Sequence, residues 1–584
     1  MSRRTEDKAR RSRGASQTAV VSSGAWRFYA LCFGLLVLLA LLLGRALQLQ
    51  VLDTERGYRF LQGQGTARTV RTAEVPAGRG MIVDRHGEPL AVSTPVISIW
   101  AEPDALFSDK ERWPELAKAL GVRRSAMVKR LERYRDRQFV YLRRHMSPDR
   151  AASVLSLGIN GVNQQREYRR YYPAAEVVSH LVGFTNIDDR GQEGLELAYN
   201  EWLTGRPGQK KVVKDLLGRV VAELGVGEAA KPGRELALSI DLRLQYLAYR
   251  ELKATLMRHK AKAGSVVMLD VKTGEVLAMV NEPSYNPNNR RGLRAEHMRN
   301  RAMTDLFEPG STVKPLTFAA ALESGRFRLD TIVNTNPGYL RVGSKTLTDP
   351  VNYGELDLAT VLVKSSQVGT TKLALNMDEQ TIWSMFSRVG LGRPLGTGFP
   401  GEVSGELPLR HRPIERANFA FGYGLTVSAL QLAQAYSVLA NDGQLRPVSL
   451  LKLDEPAKAQ PVLNPNVSRQ ILATLERVTQ PGGTGTRAAT AAWRVAGKTG
   501  TVHKVGRGGY SDHRYRALFA GMAPVSKPRV VTVVAIDEPS GNRYYGGEVA
   551  APLFSRVTEN ALRLLNVAPD KLVSELAGQG GAAS

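Results

Sequence analysis

Three short segments of the sequence each combine a hydroxyl with an amine. The first is Glu308-Pro309-Gly310-Ser311-Thr312-Val313-Lys314, which runs into an apolar stretch over residues 315–322. Pro-Gly followed by Ser reads as a helix start, and Ser311 and Lys314 then form an i, i+3 pair on one face. A serine hydroxyl is a poor nucleophile until a neighbouring base takes its proton, and a partly desolvated lysine amine can do so. Alone, Ser-x-x-Lys is a weak signal, because a surface serine followed by a solvated lysine gives the same letters.

Two further segments sharpen it. Ser365, in Lys364-Ser365-Ser366-Gln367-Val368-Gly369, lies 54 residues beyond Ser311. Lys498, in Ala496-Gly497-Lys498-Thr499-Gly500-Thr501, lies 133 residues beyond Ser365. A second hydroxyl can relay protons, and a second lysine can supply positive potential for a substrate carboxylate. The order S-x-x-K, S-x-polar, K-T-G matches the serine acyl-transfer signature in which the three elements line one cleft.

Two look-alikes are set aside. Lys272-Thr273-Gly274 precedes Ser311 and falls at a tight hairpin turn. Gly497-Lys498-Thr499 resembles the end of a phosphate-binding loop, but its first glycine would fall at Ala492, and Gly500 and Gly506 deny the helix that must follow. The eight histidines form no H-E-x-x-H and no close cluster, so no metal and no cofactor is expected.

Elements must position these groups. A turn-rich break over residues 231–235 precedes a change of pattern. Residues 236–240 read as a strand, 241–260 as a helix, and 265–270 with 275–280 as two strands closed by a tight turn. Residues 499–504, 516–522 and 530–536 read as further strands, giving an antiparallel edge beside the cleft. The chain has 584 residues, enough for two to four domains, and its 43% hydrophobic content excludes collagen-like, disordered and polytopic classes.

The net charge of +25 predicts an anionic partner. Residues 28–44 are seventeen positions without a charge, bracketed by Arg27 and Arg45, a short membrane-spanning helix that Ala46-Leu47 can extend. Residues 1–27 carry seven cations against two acids, a net +5, so +20 lies beyond the apolar run. Basic flanks stay cytoplasmic, which places the rest of the chain outside the inner membrane and argues against nucleic acid. A cleaved signal peptide fits less well, since the apolar run is long and Arg45 occupies the cleavage site. The single cysteine, Cys32, lies inside the span, so the exported part has no thiol.

The sequence resembles the class B penicillin-binding proteins, specifically the FtsI-type peptidoglycan D,D-transpeptidases (penicillin-binding protein 3 of Gram-negative bacteria). The likeness covers nearly the whole chain. It is carried by the three motifs and by the run Arg79 to Gly87, residues 169–186, residues 240–245, Asn286-Pro287-Asn288-Asn289, residues 300–315, Tyr423-Gly424-Leu425 and residues 518–524. The resemblance implies an α/β (α+β) chain with a five-stranded antiparallel sheet flanked by helices. Its expected parts are a cytoplasmic tail (1–27), a transmembrane anchor (28–47), an elongated pedestal (48–230), a transpeptidase domain (231–567) and a flexible tail (568–584). It implies Ser311 as acylated nucleophile, Lys314 as its base, Ser365 as proton relay and Lys498 as organiser of the serine network. Gln367, Thr499, Gly500 and Thr501 would contact substrate, and the main-chain N–H groups of Ser311 and Thr501 would form the oxyanion hole. The expected partners are peptidoglycan stem peptides, an FtsW-type glycosyltransferase and other proteins of the division septum, with β-lactams as covalent inhibitors.

One position departs from the family pattern, which has asparagine where this chain has Gln367. The extra methylene moves the amide by about 1.5 Å, a displacement that can cost ~10²-fold in rate. An active enzyme with shifted β-lactam selectivity is the reading it favours. The competing readings are a catalytically weak divisome scaffold, a β-lactam-sensing or β-lactam-hydrolysing relative, and a paralogue serving elongation.

Overall fold

The computed structural model describes residues 25–51, 59–60, 70–214, 220–506, 509–541 and 543–571. Residues 1–24 of the basic tail and most of the expected C-terminal tail lie outside these residues. The apolar run forms one helix, Ala25–Gln50, without a buried residue, long and apolar enough to cross a membrane. Its side chains have no protein core to pack against, as expected of a surface that lipid would cover.

The described chain separates into two compact units. One comprises residues up to 75 together with 208–229, and contains a three-stranded antiparallel sheet of Val70–Val75, Gly208–Lys214 and Val220–Glu228. The other comprises residues 76–207 and 230–584 and carries all the candidate chemistry. Residues 76–207 thus pack with the C-terminal domain as one unit, and only 208–229 of the later pedestal residues leave it.

Within the second unit, strands Pro89–Ala101 and Val162–Tyr171 pair antiparallel over ten positions. Here Glu196, fully buried, accepts from Arg79 Nε and Arg170 Nε, both at 2.6 Å. Two guanidinium groups around one carboxylate, with further donation from Arg79 to Asn200, Thr204 and main-chain oxygens, make burial of these charges tolerable. The Arg79–Gly87 run turns around Asp84, whose carboxylate accepts from the N–H groups of His86, Glu88 and Leu242.

Leu242 opens helix α1 (Leu242–His259), capped by the Asp241 side chain. Strands β1 (Ala263–Asp270) and β2 (Val276–Glu282) follow, joined at Lys272-Thr273-Gly274, where Asp270 accepts from Lys272 N and Gly274 adopts φ +79°. That K-T-G is a structural turn. Helices α2 (Lys314–Glu323), α3 (Leu358–Lys364), α4 (Gln367–Leu375), α5 (Ala429–Ala440) and α6 (Pro465–Thr479) come next. Strands β3 (Ala496–Gly506), β4 (Gly509–Ala523) and β5 (Val530–Asp537) and helix α7 (Gly546–Leu564) complete the domain.

The strands form a sheet in the order β2-β1-β5-β4-β3, antiparallel throughout. Its two-residue periodicity divides the side chains between two cores. Val266, Met268, Val534 and Ile536 pack with Leu252 of α1 and Phe554 of α7. Val267, Leu269, Val531 and Val533 pack on the other face with Leu316 of α2 and Tyr436 of α5. Both faces are therefore covered, which is why β1 is buried at every position. Strand β3 lies at the sheet edge, in register through Lys498↔Ala520 and Ala520↔Val533. The sequence had this strand starting at Thr499; it starts at Ala496, so Lys498 is held by the ladder. The segment read as a strand over 236–240 forms a ladder only at Leu236–Ala237; Leu238 adds one isolated antiparallel bridge to Leu451, and Asp241 already caps α1.

Candidate active site

Ser311 sits in a 3-10 turn, Gly310–Val313, immediately before α2. The turn is tighter than the regular helix start that the spacing suggested, and Lys314 becomes the first residue of the helix proper. Tyr436 OH donates to Thr312 O at 2.6 Å, fixing the turn from below. Strand β3 closes on it from the side. A Cβ on Gly500 would lie 2.9 Å from Thr312 Cγ2 and 3.3 Å from Pro309 O, so only glycine permits this approach. Gly422 supports the opposite flank at φ +91°, where a Cβ would stand 2.1 Å from Gly310 O. Ser311, Gly500 and Thr501 are thereby brought together.

Lys314 is fully buried. Its Nζ donates to Ser365 O at 2.7 Å, Ser365 Oγ at 3.1 Å and Ser366 O at 3.4 Å. Burial pushes its amine down to about 7, opposed by the attraction of Asp349. Lys498 is also fully buried, and burial together with the nearby Lys314 pushes it well below the usual lysine range. Its Nζ donates to Thr499 O at 3.3 Å. Two amines out of water in one site disfavour double protonation. Among the described residues the Ser311 hydroxyl has no hydrogen-bond partner, so the turn presents it free.

Ser365 joins α3 to α4 with φ +59°, in the left-handed region that a residue with a side chain seldom occupies. That geometry lets one residue offer both its carbonyl and its hydroxyl to Lys314. Ser366 caps α4, its Oγ accepting from Gly369 N at 2.9 Å. Gln367 opens the helix, with its amide side chain unpaired among the described residues. Thr499 Oγ1 lies 2.9 Å from Thr484 Oγ1, and Thr501 Oγ1 accepts from Gly546 N at 2.9 Å.

Sequence reasoning missed Asp349, Thr484 and Glu308. Asp349 takes the hydroxyl of Ser366 and the N–H groups of Gln367 and Val368, so its carboxylate sits at the start of α4, where charge and orphan donors favour it. Glu308 accepts from Gly424 N at 2.7 Å and from Tyr510 OH at 3.0 Å. Glu308 carried a signal, being three residues from Ser311. Asp349 and Thr484 lie in loops whose letters point to nothing.

A fully buried, deprotonatable lysine three residues from a free serine and bonded to a second serine, beside a glycine-bearing K-T-G edge strand, is the architecture of serine acyl transfer. The penicillin binding protein transpeptidase domain matches residues 264–559, and the penicillin-binding protein dimerisation domain matches residues 74–238. The chain belongs to the penicillin-binding protein transpeptidase family. It is 44% identical over 557 residues to the peptidoglycan D,D-transpeptidase FtsI of Escherichia coli K12, covering 94% of each chain. It is 43% identical over 531 residues to a probable peptidoglycan D,D-transpeptidase, PbpC, of Pseudomonas aeruginosa, covering 91% of this chain and 93% of that one. Among solved structures, the transpeptidase domain of Burkholderia pseudomallei penicillin-binding protein 3 is 42% identical with TM-score 0.53, covering 57% of this chain and 98% of that one. Penicillin-binding protein 3 of Mycobacterium tuberculosis, complexed with aztreonam, is 26% identical with TM-score 0.67, covering 85% of this chain and 98% of that one. All the candidate site residues fall inside the transpeptidase match.

Proposed function

We propose that the chain is a membrane-anchored, serine-type peptidoglycan D,D-transpeptidase that cross-links stem peptides during septal wall synthesis. The observation that carries this reading is the Lys314 amine, buried, pushed down to about 7 and bonded to Ser365. Such an amine is neutral in about half of the molecules near pH 7 and can then take a proton. Ser311 Oγ attacks the carbonyl of the penultimate D-alanine of a stem peptide as Lys314 accepts its proton. The main-chain N–H groups of Ser311 and Thr501 stabilise the oxyanion. Collapse breaks the peptide bond, and D-alanine leaves with a proton relayed through Ser365. An amine of a neighbouring stem then attacks the ester, forming the cross-link and returning the proton to Ser311.

Lys498, Thr499 and Thr501 hold the substrate's terminal carboxylate, with Gly500 and Gln367 lining the same cleft. The arriving anion raises the pKa of Lys498 and recruits a proton to it, so positive potential develops where the carboxylate binds. β-Lactams meet the same serine, whose attack opens the ring amide and leaves a stable ester. In this reading the basic tail is cytoplasmic, the helix is the anchor, residues 48–230 serve as pedestal and 231–567 as the catalytic domain outside the inner membrane. An FtsW-type glycosyltransferase and other division proteins are the partners that the reading implies.

Fluorescent-penicillin labelling of the parent and of Ser311→Ala, read by intact mass, tests the assignment. One adduct on the parent and none on the variant is expected. An adduct that survives the substitution overturns it, and rapid penicillin turnover would assign a hydrolase instead.

A further inference from the structure

A cleft of about 930 Å³ lies in the catalytic unit but outside the Ser311 site, lined by residues of 197–206 and 231–234. Three of its lining residues, Arg206, Lys231 and Arg234, are exposed cations with no ion-pair partner among the described residues. Arg206 and Lys231 face each other across an antiparallel bridge, each N–H bonded to the other's carbonyl at 2.8 and 2.9 Å. Like charges directly opposite one another are destabilising, so folding alone gives no reason for the pair.

The third cation is stacked. The guanidinium of Arg234 lies over the Trp202 ring at 4.7 Å, while Arg234 N donates to Trp202 O at 3.1 Å and Trp202 Nε1 to Glu235 O at 3.0 Å. The main-chain bond ties the two residues together and the indole bond holds the ring, yet the tryptophan remains 45% exposed. A guanidinium stacked on a ring keeps its N–H edge open, and that edge matches a carboxylate bidentately.

We infer that this cleft is an accessory binding site for a carboxylate-bearing glycan strand. Arg234 takes one carboxylate, Arg206 and Lys231 together take another, and the exposed indole supports the apolar face of a sugar ring. Among the described residues that line the cleft the one acid is Glu201, so the charge is complementary to an anionic polymer. The inference rests on the proposed function, which brings the chain to peptidoglycan. It adds a holding point for the strand apart from Ser311.

The test uses the full chain in detergent micelles with soluble, uncross-linked glycan strands carrying intact stem peptides. Retention on the strands is expected, falling with added salt. Arg234→Glu and, separately, Lys231→Glu are expected to weaken it about ten-fold or more, with Ser311 labelling by fluorescent penicillin unchanged. Strands stripped of stem peptides should bind more weakly than intact ones. Equal retention of parent and variants overturns the site, as does equal binding of stripped strands. Variants impaired only on vesicles of anionic phospholipid would assign the cleft to lipid headgroups and overturn it too. Absent labelling of the parent would fail the catalytic reading, while the strand measurement still reads the cleft.

Discussion

Lys314 Nζ is bonded to the main-chain carbonyl of Ser365 at 2.7 Å, closer than to that residue's hydroxyl at 3.1 Å. The amine is therefore aimed by backbone, and backbone held at φ +59° cannot drift without unwinding the α3–α4 junction. In the proposed mechanism Ser365 would matter twice, through its side chain as a relay and through its conformation as the bracket that points the proposed base.

The first prediction concerns pH. The Lys314 amine sits at about 7 and must be neutral to accept the Ser311 proton. Second-order acylation by a penicillin should therefore rise with pH and level off above about 7, falling roughly ten-fold per unit below it. Stability has its own signature. Between about 7 and the unfolded value of 10.5 the unfolded chain binds the extra proton, so this group makes stability rise with pH across that window. Lys314→Met should abolish acylation and raise the melting temperature more at pH 6 than at pH 9. A pH-independent acylation rate between 5 and 9 would remove Lys314 as the base.

Asp349 supplies the second. It holds Ser366 and the first N–H groups of α4, and its charge raises the Lys314 pKa. Asp349→Asn should cost about 1–3 kcal/mol of stability. It should also move the acid limb of the acylation profile to lower pH, because the amine loses the attraction that favours its protonated form. A profile left in place would show that the carboxylate acts on α4 alone.

The three motifs were legible because the chemistry proposed for them needs fixed residue types at local spacings. The sheet was legible through its alternation, and the anchor through a run of uncharged residues. What escaped was set by tertiary approach. Asp349 reaches the start of α4 from the loop after a short strand pair, and nothing in its neighbours' letters marks it. The 3-10 form of the Ser311 turn follows from compression between Tyr436 beneath and Gly500 beside it, contacts 124 or more residues away. The grouping of residues 76–207 with the catalytic domain depends on pairs such as Tyr172–Asn288, which no local pattern announces.

Gly500→Ala is the third prediction. Its added methyl would meet Thr312 Cγ2 at 2.9 Å, pushing β3 away from the Ser311 turn. Overpacking of this kind costs about 1–3 kcal/mol. Acylation should fall by ~10²-fold, since an error near 1 Å in the reacting geometry has that effect. Loss of stability with full acylation would mean that the strand and the turn can separate without harm to the site.

Gln367→Asn is the fourth, and it tests the one departure from the family motif. The residue's main chain is pinned by Asp349, so a change of side-chain length cannot be absorbed by sliding the helix. Its amide has no partner among the described residues and is available to a ligand. Shortening it by one methylene moves that amide by about 1.5 Å. The variant should change the acylation rates unequally across a penicillin, a cephalosporin and a monobactam, by up to ~10²-fold. A uniform change would locate the effect in α4 packing. Identical rates for parent and variant in all three classes would show that the glutamine side chain reaches no bound ligand.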